Sequence, residues 1–355
     1  MSAEMKRSGR GLGTGTMLLV APGASVAVTV SVMERSDFSR GQIAKLGAEL
    51  APLAELLKEE PLCIYATGSY GRLEAWPGSD IDVFYLCEGH PRKPLSRLVL
   101  IRVSARLIEA TEEMGFPPFS GDGRYLDVHY LDQMEAVLGS PEDDSLNAFT
   151  ARMLLLLESR PVFGDERYRR SLERVVGFYF RDFADHSESF RPTFLLNDIL
   201  RFWRTLTLNY EHARYEIGLL AGPLRPEAKA RSALKNYKLK VSRLSTCFSM
   251  VVHLASQEPP VSPERVLELC ELTPRERFLD LATQRPQSGD CVARLLATYE
   301  SFLDHVQRPE AELHEDFRDP MTRGERLAEA GEFGEQIFEL VTTLVPAERQ
   351  RPLVI

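Results

Sequence analysis

Leu62-Cys-Ile-Tyr-Ala-Thr-Gly68-Ser69-Tyr-Gly71-Arg72-Leu-Glu74-Ala-Trp-Pro-Gly78-Ser79-Asp80-Ile-Asp82-Val-Phe-Tyr-Leu86 is the most structured run of the chain. Two apolar runs, Leu62 to Ala66 and Ile81 to Leu86, have strand length and β-branched or aromatic content, with a Gly-rich segment between them. The pattern predicts strand, tight turn, short helix, strand. Side chains alternate along a strand, so Asp80 and Asp82 project from one face while Ile81 and Val83 enter the core. Two unpaired anions side by side are costly unless a cation joins them, and paired oxygen ligands suit Mg²⁺, with phosphate oxygens completing its shell. Gly68-Ser69 offers the other half. Gly permits a sharp turn, Ser69 is expected to cap the short helix after it, and the free N–H groups there suit a triphosphate.

Gly68-Ser69, Gly71-Arg72, Glu74 and Ser79-Asp80-Ile81-Asp82 together resemble the signature of the nucleotidyltransferase superfamily that includes DNA polymerase beta. The Gly-x-Tyr-Gly-Arg-x-Glu lead-in and the later Leu156-Leu157-Glu158-Ser-Arg160-Pro-Val-Phe-Gly164-Asp165 are similar to its bacterial uridylyltransferase-like branch, which contains enzymes that nucleotidylate a nitrogen regulatory protein. The resemblance covers roughly Leu62 to Asp165 and is far more specific than a lone Gly-rich loop. It implies a third carboxylate on a neighbouring strand, and Asp127 in Arg124-Tyr-Leu-Asp127-Val-His129-Tyr-Leu131 is the match. There Leu126, Val128 and Tyr130 are expected to pack inward, with Asp127 and His129 on the active face. His129 itself reads as a structural, hydrogen-bonded side chain rather than a proton carrier.

The 355 residues exceed one average domain, and 44% hydrophobic content is enough for sizeable cores. A net charge of -9 argues against broad sequence-independent binding to nucleic acid, which needs a basic surface. Five scattered cysteines, Cys63, Cys87, Cys247, Cys270 and Cys291, show no metal or redox spacing and read as reduced, buried thiols of a cytoplasmic protein. The first residues are basic and then apolar, superficially like a signal peptide, but Pro22-Gly23 interrupts the run and no span of membrane length comes after it. Residues 1–34 are therefore expected to be a disordered or loosely attached extension, with Met33 a candidate natural start.

A catalytic domain is expected over 35–140. It opens with a helix capped by Ser39 and Gln42 and bent or shortened at Pro52. A second amphipathic helix from Pro94 to Met114 carries Leu98, Ile101, Leu107 and Ile108, and Ser120 to Gly123 forms a break after it. A helical domain over 141–256 comes next. Its most regular element runs from Glu227 to Ala255, where Leu234, Tyr237, Val241, Leu244, Phe248, Val251 and Ala255 form one stripe. That stretch is also basic. Arg231, Lys235, Lys238 and Ser242 share a flank that either focuses a triphosphate or acidic acceptor or is an ordinary solvated face. A C-terminal helical region, 257–355, reads as scaffolding or acceptor recognition, with a loose tail from Pro346.

The fold class expected is α+β, a mixed-sheet nucleotidyltransferase domain followed by an all-helical region. The reaction the resemblance implies is attack by an acceptor hydroxyl, foremost on a protein, on the α-phosphate of an NTP, releasing pyrophosphate. Asp80, Asp82 and Asp127 would be the catalytic and metal-binding residues for Mg²⁺ or Mn²⁺. Gly68, Ser69, Arg72 and Ser79 would line the nucleotide site. Arg72 would either pair with Glu74 or reach phosphate, and by resemblance Arg204 and Lys238 would contact phosphate from the helical domain. A small-molecule acceptor, an RNA end, and a nucleotide-binding regulator without turnover are the alternatives; no membrane partner is expected.

Overall fold

The computed structural model describes residues 26–58, 60–119, 126–219 and 224–354. Residues 1–25, most of the expected extension, and the Ser120–Gly123 break lie outside them.

The protein is α+β. Helix α1 (Val26–Leu50) leads into β1 (Leu62–Thr67), the single turn α2 (Gly68–Gly71), β2 (Asp82–Cys87), α3 (Arg97–Glu113) and β3 (Val128–Tyr130). Short α4 (Leu131–Ala136) and α5 (Pro141–Ser145) precede α6 (Ala148–Leu157), β4 (Arg160–Phe163) and α7 (Asp165–Gly177). Then come the long α8 (Thr193–Gly218), α9 (Leu224–Lys238), a π-helical segment Leu239–Arg243 and α10 (Leu244–Ser256). The chain closes with α11 (Pro263–Glu271), α12 (Pro274–Gln284), α13 (Gly289–Val306), α14 (Glu310–Arg318), α15 (Pro320–Leu344) and α16 (Ala347–Val354).

The sheet order is β3-β2-β1-β4. β1 is antiparallel to both neighbours, with Leu62 opposite Cys87 and Thr67 opposite Asp82, while β2 and β3 are parallel. Every residue of β1 is buried, as a central strand covered on both faces requires. Ile64, Ala66, Val83 and Tyr85 face α1 and α3, while Cys63, Tyr65 and Leu86 face α6 and α7. A third core joins α9 to α12, α13, α14 and α15.

Several expectations are corrected. Ser39 caps nothing: α1 runs through it from Val26, its hydroxyl donates to the Arg35 carbonyl at 2.7 Å and accepts from the Ala75 N–H at 3.0 Å. Residues 26–34 therefore belong to a helix, and the adjoining Arg35 is buried against Asp304 and Gln307. That helix ends at Leu50, with Pro52 in the 3-10 turn after it, since proline cannot supply the next helical N–H. Leu98 and Ile101 are exposed, and α3 buries Val99, Val103, Leu107 and Ala110 instead. β4 comes from beyond residue 140, so strand pairing crosses the expected domain boundary. The tail from Pro346 is helical and docked: Arg349 donates to the Gln257 carbonyl at 3.0 Å and pairs with Glu258 at 2.7 Å.

The long stripe of Glu227 to Ala255 is also divided. The π segment adds a residue to the turn and rotates α10 relative to α9. Leu234, Tyr237 and Val241 enter the C-terminal core, whereas Val251 and Ala255 enter the core beneath the sheet.

Candidate functional site

The chain turns sharply out of β1 at Gly68, whose φ is +65°. A Cβ there would stand 3.1 Å from Asp82 Oδ2, so the turn and the carboxylate face each other directly. Gly71 has no room for a side chain: a Cβ would lie 1.9 Å from the Glu158 carbonyl oxygen. The two glycines thus press α2 between the Asp-bearing strand and the end of α6.

Ser69 does not cap α2; Thr67 stands at the N-cap without a side-chain bond. The Ser69 carbonyl instead accepts the Glu74 N–H at 2.8 Å. Ser79 closes the turn before the aspartates, accepting the Trp76 N–H on its hydroxyl at 3.0 Å and donating its own N–H to the Trp76 carbonyl at 2.8 Å.

Behind the turn lies a buried charge network. Arg72 donates to Glu74 at 2.8 Å and to Glu158 at 2.6 Å. Of its two expected roles, the structure displays the pairing. Arg243 also donates to Glu158, Thr246 donates to Glu158 at 3.1 Å, and Tyr299 donates to Glu74. The backbone beside Glu158 is clamped by the fully buried Arg277, which donates to the Leu157 carbonyl at 2.9 Å and the Leu269 carbonyl at 2.7 Å. A cation at the C-terminal ends of α6 and α11 complements their orphan carbonyls.

In front of the network the pattern reverses. Asp80 and Asp82 are exposed and make no hydrogen bond or ion pair among the described residues. Crowding by surrounding protein and the Asp80 charge raise the pKa of Asp82, while Arg243 and Arg72 act in the opposite direction. Burial pulls Arg243 down to about 10, as does Arg72, against the pull of Asp82 and Asp80. Two carboxylates and one underused guanidinium therefore share one field beside Gly68.

Asp127 lies immediately before β3 and is exposed. The parallel pairing of Leu86 with His129, continued back, sets Asp127 level with Phe84, about 7 Å further along the sheet than Asp82. Among the described residues no group of three or more His, Cys, Asp or Glu side chains gathers where a metal ion could be held. His129 is buried beside the Phe84 ring, centroids 5.8 Å apart, and burial lowers its pKa to about 4 despite Asp127.

Arg204 and Lys238 are exposed on α8 and α9, whereas the cations acting on Asp82 are Arg243 and Arg72. Sequence reasoning meets Arg243 as one of many basic residues and cannot single it out, because only the π segment turns it toward Glu158. Glu158 enters the resemblance without a role; its place at the end of a Leu run is the available signal. All five cysteines are buried and free, with burial raising Cys63 to about 12.

A scan against protein-family models and a search of curated proteins both return no match. Among the described residues, no helix is long and apolar enough to cross a membrane.

Proposed function

We propose that the protein is a metal-dependent nucleotidyltransferase moving an NMP from an NTP to an acceptor hydroxyl, foremost on a protein, with release of pyrophosphate. The observation that carries the reading is the contrast between neighbouring carboxylates. Glu74 and Glu158 are matched by Arg72, Arg243, Thr246 and Tyr299, while Asp80 and Asp82, a few residues away, have no hydrogen-bonding or ion-pairing partner among the described residues. Anions crowded enough to raise a carboxyl pKa and left unpaired suit a divalent cation.

The donor set fits Mg²⁺ or Mn²⁺, since both ligands are carboxylates and no soft donor stands beside them. When bound, the ion would neutralise developing charge on the transferring phosphoryl group. Asp80 and Asp82 would hold it. The Gly68 backbone and the Ser69 hydroxyl, which has no partner among the described residues, would orient phosphate oxygens. Arg243, fixed from behind by Glu158, would supply the cation from the helical side in place of Arg204 and Lys238. Positioning and charge neutralisation would provide most of the rate.

The test is incubation of the purified protein with each labelled NTP and Mg²⁺, with and without cell extract, beside D80N/D82N. Label transferred only by the parent protein supports the reading and reveals the acceptor by size. Saturable NTP binding without transfer would replace it with a nucleotide-binding regulator.

A further inference from the structure

From Trp203 onward, no described residue of α8 is buried. Yet this half of the helix carries Leu206, Tyr210, Ala213 and Ile217 along one side, and with α9 it walls a groove of about 510 Å³. Leu208 and Tyr215, each about two-thirds accessible, lie on the far side of the same helix and take no part in the groove. An apolar trough left open along a helix is a mark of an interaction site rather than of scattered exposure.

The other wall is basic. Arg231 and Lys235 line the groove from α9, and neither forms an ion pair among the described residues. Lys229, Lys238 and Lys240 on the same stretch are likewise exposed and without one. Glu227, the acid of α9, is taken by Arg318 at 2.6 Å. On α8 Arg214 is paired with Glu211, while Arg204 is exposed without an ion pair among the described residues. The unmatched field around this helix pair is therefore positive, and Arg231 and Lys235 are the part of it that lines the trough.

We propose that this groove is a docking site for an acidic, amphipathic helical segment of a partner protein. An apolar trough with cations along one rim receives the apolar face of such a helix while its carboxylates meet Arg231 and Lys235. Beyond the core contacts of Trp203 and Leu206, the stretch Thr207–Gly218 is roughly 18 Å long at helical rise, enough to seat about three turns. A nucleic-acid strand fits less well, because its phosphates need cations along their whole path and the α8 wall offers carbon. Docking here does not depend on nucleotidyl transfer.

The probe is a fluorescein-labelled 18-residue peptide with Leu at i, i+3, i+4 and i+7 spacing and Glu on the flanking positions, titrated with the full chain. Saturable binding is expected, weakening as salt rises. R231E/K235E and Y210S/I217S should each weaken it at least tenfold, with unchanged circular dichroism showing that both variants fold. No saturable binding, or equal binding by both variants, overturns the proposal. So does undiminished binding of a Leu→Ser peptide that an oligonucleotide displaces, which would assign the rim to nucleic acid. Concentration-dependent self-association abolished by I217S would assign the groove to a second copy of the chain and overturn it as well.

Discussion

Two arginine clusters bury their charge in this protein, and they are finished differently. Arg152 on α6 is fully buried and meets Asp143 through two parallel contacts of 2.8 Å, Asp198 at 3.1 Å and the Tyr179 hydroxyl at 2.7 Å. Tyr179 donates in turn to Asp198 at 2.7 Å. Burial pulls the Arg152 pKa down, and the contacts with Asp143 and Tyr179 more than reverse it. This cluster ties α5, α6 and α8 together, and every carboxylate in it is matched: Arg201 also stands 3.9 Å from Asp143 and 3.7 Å from Asp198. The Arg72–Glu158–Arg243 cluster ties α2, the end of α6 and the π segment, but it opens onto two unmatched aspartates. A closed cluster specifies packing; an open one leaves charge available to something that binds.

The sharpest break in this comparison is activity. D80N/D82N should lower nucleotide transfer by at least about a thousandfold, the scale for removing the electrostatic centre of a phosphoryl-transfer site, while thermal stability stays equal or rises because like charges have been removed. A fall in stability would make the pair structural.

R152M should be the mirror image. Two buried carboxylates would lose their directly bonded cation and keep only the more distant Arg201, at a cost of about 3–5 kcal/mol in urea unfolding. A loss below about 1 kcal/mol would show that the closed cluster contributes little.

E158Q comes next. It leaves Arg72 and Arg243 facing each other with less negative charge between them, and a destabilisation of about 1–3 kcal/mol is expected. Transfer should fall as well, because Arg243 loses its anchor; unchanged kinetics would remove Arg243 from the site.

Mg²⁺ without nucleotide should raise the melting temperature of the parent by a few degrees and leave D80N/D82N unmoved. The effect should fade at low pH, where Asp82, its pKa raised by crowding and by Asp80, takes up a proton.

The smallest effect belongs to His129. Its folded pKa of about 4 lies below the ordinary 6.5, so the unfolded chain binds the extra proton first. Its neutral burial is compatible with folding above about pH 6.5, and stability is lost as pH falls from there toward 4, by at most roughly 3 kcal/mol. H129L should flatten that part of the pH profile of urea unfolding. The same profile in both proteins would place the acid sensitivity elsewhere, with buried His253, lowered to about 4 by burial, the next group to replace.

Local chemistry makes much of this legible in the residues. Alternation in Ile81 to Leu86 shows which side chains enter the core, and the Gly-rich link between two apolar runs marks the turn at Gly68. Helices with strong periodicity can be read to within a few residues of their ends, as in Pro94 to Met114 against the observed Arg97–Glu113. A helix that periodicity does not reveal, Pro274–Gln284, carries a readable signal in the Thr273 and Glu276 capping box. Ser39 misleads for the same reason: a hydroxyl three residues before a Gln looks like a cap, and only the approach of the Ala75 N–H shows what that hydroxyl serves.

The order of the residues is enough to read the strand–turn–strand unit and the helical character of the chain beyond the sheet, because spacing and backbone preference act over a few residues. Tertiary structure alone decided which charges are matched. Arg72, Glu158, Arg243 and Tyr299 are separated by up to 227 positions in the chain, and they meet only because the fold brings the ends of α2 and α6, the π segment and α13 together. Ion pairing depends on distance and burial in space, and neither is written in the order of the residues.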